Sequence, residues 1–183
     1  MNLRLGVADH YAYANLVLAS ADYEVVDRRR VPLVERGVAE CPIHGEGKGL
    51  DDAGCAALVE EFRVSIARCA RTAFDDLPGP IGSIALRAWP LDFPTDPATQ
   101  RRLPYENWAD SIIYRQVIAD VAAALGWEIH LYDAKSVEAQ ASAILGGRAA
   151  DVLYGPRQRL GAPWAKDHRM ALAATILQRD SPL

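Results

Sequence analysis

The sequence is short of most of what covalent and cofactor-bound sites require. It has three cysteines, Cys41, Cys55 and Cys69, an odd number at wide spacing. That pattern does not make a disulfide framework and fits a reduced, cytoplasmic protein. Cys41-Pro-Ile-His44 has the local spacing of half a zinc site, but no second close pair follows to complete four ligands. No run of about 18 apolar residues is present, so no membrane partner is expected. Asp9 and His10 interrupt the apolar start, which therefore reads as a strand and not as a signal peptide. No Gly-x-Gly-x-x-Gly or Walker-type loop follows a strand, and no Gly-x-Ser-x-Gly elbow occurs. Phosphate-cradle nucleotide folds and α/β-hydrolases thus find no support. Basic charge is not in excess either: Lys plus Arg is 20 against 24 for Asp plus Glu, a net charge of −4. Any contact with nucleic acid has to use a local basic patch.

What is present is an ordinary globular composition, 50% hydrophobic and 24% charged over 183 residues. At roughly 150 residues per domain this predicts one domain over residues 1–183. Alternation of Leu3, Leu5 and Val7 predicts a first strand ending at Asp9. Residues 11–20 and 23–34 predict two more strands, and the short connections make an antiparallel meander. Pro32 removes a ladder donor, which places the third strand at a sheet edge. Apolar residues recur at helical spacing from Asp51 to Phe74, so Cys55, Leu58, Phe62, Ile66 and Cys69 are expected to face the sheet. Residues 81–88 predict a fourth strand, and the proline-rich stretch 89–106 an ordered loop. Asn107 is expected to cap a helix that runs through Leu125 and precedes Gly126, which stands where a C′ glycine belongs. Residues 127–132 alternate strictly and predict a fifth strand. A helix capped by Asp133 follows and ends at Gly146-Gly147; residues 148–163 read as loop, and a last helix runs from Pro163 or Trp164 to Gln178. The order β-β-β-α-β-α-β-α-α predicts an α/β fold, a mixed five-stranded sheet with helices packed on it.

Three stretches carry a family resemblance. They are LGVADH at residues 5–10, the run WADSIIYRQVIADVAAALGWEIHLYDAKSVEAQA from Trp108 to Ala141, and WAKDHRMALAAT from Trp164 to Thr175. With the element order, they resemble the RNase H-like superfamily, most closely the small RuvC-like resolvases and nucleases. The resemblance implies a metal-dependent nuclease acting on structured nucleic acid, with Mg²⁺ or Mn²⁺ as cofactor and often a homodimer. It places metal ligands at Asp9, which ends the first strand, and at Asp167, in the first turn of the last helix. His168 would assist as ligand or base. One departure stands out. The family has a second acidic residue at the end of the fourth strand, whereas here that strand ends Leu86-Arg87-Ala88-Trp89-Pro90. Asp92, a few residues on, would have to stand in.

The chemistry agrees with that placement. Two-metal phosphodiester cleavage needs several carboxylates around ions about 3.5–4 Å apart. Sites in open sheets lie beyond the carboxyl ends of parallel strands, which is where Asp9, Asp92 and Asp133 fall. Each also has a structural use: Asp9 in a turn, Asp133 as a helix cap and Asp167 against a helix dipole. Arg101, Arg102, Arg157 and Arg159 lie in loops bordering the edge, beside Tyr105, Trp108, Tyr154 and Trp164. Arginine with aromatics suits a nucleic-acid strand, while the same aromatics can instead anchor two long loops. Arg28-Arg29-Arg30 either holds phosphates or protects an exposed edge strand from pairing. The alternative to a nuclease is a non-catalytic RNase H-like binding module for protein or nucleic acid, which the altered fourth strand favours.

Overall fold

The structure, a computed structural model, describes residues 2–178. Strands β1 (Leu3–Asp9), β2 (Tyr13–Ala19) and β3 (Val25–Pro32) form the antiparallel meander. Helix α1 (Asp52–Asp75) leads to β4 (Ile81–Arg87), which pairs parallel with β1. After the short α2 (Pro97–Gln100) comes α3 (Glu106–Ala124), and then β5 (Glu128–Tyr132), parallel to β4. Helices α4 (Val137–Leu145), α5 (Ala149–Tyr154), α6 (Pro156–Leu160) and α7 (Lys166–Leu177) complete the chain. The sheet order is β3-β2-β1-β4-β5, so β3, with its Pro32, is an edge strand as expected. No helix among the described residues is long and apolar enough to cross a membrane.

Both faces of the sheet are covered, and the strand alternation decides which residue goes where. Leu5, Val7, Leu16, Leu18, Ile84 and Leu86 pack under α1 and α3. Ala8, Val17, Ala19 and Ala85 pack under α4, α5 and α7. The residues on the α7 side are small because that helix sits very close to the sheet. A methyl group on Gly6 would lie 1.9 Å from the carbonyl oxygen of Ala171. Ala171, Ala173 and Ala174 are fully buried there. Asp51 caps α1, its carboxylate accepting from the Gly54 N–H at 2.7 Å.

Several local expectations are corrected. Residues 148–163 are not a plain loop: they hold α5 and α6 after a single 3₁₀ turn at Gly146–Arg148. Gly146, Gly147 and Gly155 read as breakers, but glycine only interrupts here, and Leu153, fully buried, gives the segment a core contact. Helix α4 begins at Val137 and not at Asp133, whose carboxylate forms its own turn with the Lys135 N–H and the Ser136 hydroxyl. Helix α7 starts at Lys166, after Pro163 and Trp164. Along α1, Cys55, Phe62 and Ile66 are in the core, but Leu58 and Cys69 are only half-buried on its flanks. The buried stripe is completed by Val59, Ser65 and Ala70 instead.

Candidate functional site

Parallel pairing of β1, β4 and β5 delivers their carboxyl ends to one edge of the sheet. Asp9 ends β1 and Arg87 ends β4. Helix α3 runs back along the sheet and brings Arg115 to the same place, and α7 starts there with Asp167 in its first turn. Asp9 is 3% exposed, among the least accessible charged side chains of the protein. Its Oδ2 accepts from Arg115 Nε at 2.8 Å. Its Oδ1 lies 3.8 Å from Arg87 Nε, and neither of those two atoms has a hydrogen-bond partner among the described residues. Arg87 also donates through Nη1 to the Asp9 backbone carbonyl at 2.9 Å and reaches Asp167 Oδ1 at 4.0 Å. The guanidinium of Arg87 therefore lies between the two carboxylates.

Asp167 is held from its other side. Its Oδ2 meets His10 Nε2 at 2.8 Å and the Asn15 amide at 3.3 Å. Tyr132 closes the floor, its hydroxyl donating to the Val7 carbonyl at 2.7 Å; burial pushes its pKa well up, so it stays a neutral donor. On α3, Tyr114 accepts from the Ala12 N–H and donates to the Glu40 carbonyl, which ties the β1–β2 turn to the following loop. Asp110 accepts from the N–H groups of Ile43 and His44 at 2.9 and 2.8 Å, and burial raises its pKa against those bonds.

The structure thus brings Asp9, Asp167 and His168 to one edge, and Asp92 forms no metal-holding group with them among the described residues. Asp92 is exposed in the turn after β4. No three His, Cys, Asp or Glu side chains among the described residues group so as to hold a metal. His168 is 6% exposed and points into the α7 start, its Nδ1 accepting from the Ala165 N–H at 3.2 Å. Burial, and then the charge of Arg28, push its pKa below the usual histidine range. The neutral ring fits that acceptor role. Stability contributed by neutral His168 is full above pH 6.5, the unfolded value, and declines as pH falls from there toward the lower folded value. His168→Gln, which can still accept the cap hydrogen bond, is expected to flatten this decline, as read from melting temperature between about pH 7.5 and 5.

The arginines of the long loops divide. Arg101 is a brace: it donates to Asp52 at 2.9 Å, to the Leu50 carbonyl at 2.6 Å and to the Gly47 carbonyl at 3.2 Å. Arg102, Arg157 and Arg159 are exposed. Of the aromatics, Trp164 is buried and donates to the Leu153 carbonyl, and Tyr105 packs edge-on against Phe93. Trp108 is 54% exposed at the start of α3, and Tyr154 stacks beneath Arg169. Sequence reasoning missed Arg115, Asn15 and the paired role of Arg87. Arg87 was visible only as the place where a carboxylate is lacking.

Structural comparison gives this arrangement a frame. The chain matches the structure of Thermus thermophilus RuvC in complex with a Holliday junction substrate, with a TM-score of 0.52. The match covers 96% of this chain and 91% of RuvC, at 11% sequence identity. The fold is the RNase H-like fold of RuvC. A second RuvC structure from Thermus thermophilus aligns over 95% of this chain and 91% of its own length, at 12% identity and a TM-score of 0.45. No family model matches the chain, and no curated protein matches it. In this chain a guanidinium ends β4, and a second one from α3 holds the carboxylate that ends β1.

Proposed function

We propose that this chain is a non-catalytic module of RuvC-like fold that binds a nucleic-acid strand along this edge, with arginines in the place where a nuclease of this fold would hold divalent ions. The observation that carries the reading is the position of Arg87 and Arg115 around Asp9. Two guanidinium charges already balance two carboxylates. A pair of divalent ions would need several carboxylates with free oxygens. Here Asp167 Oδ2 is engaged by His10 and Asn15, and Asp9 Oδ2 by Arg115. The remaining oxygen of Asp9 faces a cation 3.8 Å away, which disfavours a second positive charge. The donor set does not fit a two-metal centre. The RuvC-like fold and the basic residues beside the edge support nucleic acid as the partner.

The test compares wild type with Asp9→Asn and Arg87→Glu in Mg²⁺ and Mn²⁺. Wild type is expected to show no metal-dependent rise in melting temperature and no cleavage of a four-way junction. Arg87→Glu removes the central cation and supplies a carboxylate at the end of β4. It is expected to gain a Mn²⁺-dependent rise in melting temperature through linkage, about 2.7 kcal/mol of stabilisation at a hundredfold excess over Kd. Mn²⁺-dependent cleavage by wild type, lost in Asp9→Asn, would overturn the reading.

A further inference from the structure

Strand β3 carries three consecutive arginines on an exposed edge, and the structure gives each a different environment. Arg29 pairs with Asp27 and reaches the Asp76 carbonyl at the end of α1. Arg28 is committed to the loop before α7, donating to the carbonyls of Leu160, Gly161, Ala162 and Pro163. Arg30 lies opposite Asn15 in the β2–β3 register, and its guanidinium carbon is 3.5 Å above the ring centroid of Tyr13. His10 also stacks on Tyr13, at 4.7 Å and 16°. Two groups that close cannot share one face of a phenol ring, so they lie on opposite faces. The result is a continuous stack, Arg30 on Tyr13 on His10, which ends in the His10–Asp167 bond.

This stack fixes the arginine without neutralising it. Contact with a ring face leaves the in-plane N–H groups of a guanidinium free. No carboxylate among the described residues pairs with Arg30. Beside it runs a groove of about 540 Å³ lined by Tyr13, Asn15, Arg28, Arg30, Asp167 and His168. Arg28 and Arg30 bring positive charge to it, while Asp167 faces the Arg87 guanidinium at 4.0 Å and is hydrogen-bonded to His10. The volume lies in the range of small-molecule pockets. A planar fork of donors held rigid and unpaired is suited to two oxygens of one phosphate.

We infer that this groove takes a phosphodiester of the bound nucleic-acid strand, with the in-plane N–H groups of Arg30 as its main contact and Tyr13 as the support that orients them. The inference rests on the reading that this edge binds nucleic acid, and it assigns the strand a path over β2 and β3 on the Asp167 side of the Asp9–Arg87–Asp167 cluster. A phosphodiester is favoured over a peptide carboxylate because the groove includes Asp167 and His168 of the edge proposed to bind nucleic acid.

Fluorescence anisotropy with a labelled oligothymidylate, in EDTA and over a salt series, tests it. Arg30→Gln is expected to weaken binding about tenfold, the loss of one charge-assisted contact. It should also make the slope of log K against log salt shallower by about 0.7, one phosphate contact fewer. Arg30→Lys should keep the slope and lose affinity, because the charge remains and the fork does not. Arg71→Gln, which removes a remote arginine paired with Asp75 on α1, should leave both unchanged. If Arg30→Gln and Arg30→Lys both bind as wild type does, with an unchanged slope, the groove assignment falls and the nucleic-acid reading stands. Wild type that does not bind the oligonucleotide removes both. Displacement by polyglutamate at concentrations as low as those of unlabelled oligonucleotide would overturn the phosphodiester in favour of an acidic peptide. Mn²⁺-dependent cleavage would overturn the non-catalytic reading alone, since this comparison contains no metal.

Discussion

Arg115→Met is expected to destabilise the protein by about 3 kcal/mol, because it leaves a buried carboxylate without its closest partner. Asp9 is 3% exposed and the Arg115 side chain 15%, so water cannot readily replace the lost ion pair. Arg87 remains 3.8 Å from the other oxygen and limits the loss to the lower part of the range for broken buried pairs. The double variant Asp9→Asn/Arg115→Met should recover most of the stability, since the charge that needed a partner is gone. Urea unfolding of the four proteins in the cycle gives the coupling energy directly. The sign of the single variant Asp9→Asn is as informative. A centre built to hold metal leaves its carboxylates repelling one another in metal-free buffer, and Asp9→Asn then stabilises the protein. A centre held by guanidiniums loses an attraction, and Asp9→Asn destabilises it. The second outcome is expected here; stabilisation by Asp9→Asn in EDTA would count against the guanidinium-held centre.

Gly6→Ala is expected to cost about 3 kcal/mol, at the upper end of overpacking effects. The added methyl group would sit 1.9 Å from the carbonyl oxygen of Ala171 and 2.6 Å from its carbonyl carbon. Both obstructing atoms are backbone, so no change of rotamer relieves the clash. Helix α7 has to move as a unit, and it carries Asp167 and His168. The variant should therefore lose near-UV circular dichroism at the buried Trp164 together with stability. A Gly6→Ala protein with unchanged urea midpoint would show that the close approach of α7 to β1 is not what anchors that helix.

The strands and long helices were legible because their signals are local. Alternation in residues 3–9 and 127–132 and the proline in β3 each act over a few residues, and the element sequence and the edge position of the third strand follow from them. Asp9 and Asp167 were legible as a pair for a topological reason: parallel strands and the last helix share one edge. The short helices α5 and α6 were not legible, because in so short a segment the breaker residues outweigh a single buried leucine. Leu58 and Cys69 show the same limit, since helical spacing assigns a stripe but not its width.

By itself, then, the sequence determined a five-stranded mixed sheet, the edge on which a site would form, and the fact that the fourth strand ends without a carboxylate. It could not say what fills that place, because the partners of Asp9 lie 78 and 106 positions away and meet it only when β4 and α3 are packed. Nor could it separate Arg28, Arg29 and Arg30, which are adjacent in the chain and alike in chemistry. Strand geometry and the packing of α1, α7 and Tyr13 turn them into a loop clamp, an ion pair and an unpaired fork. Charge partnerships depend on distances of a few ångströms in three dimensions, and those distances come from tertiary packing.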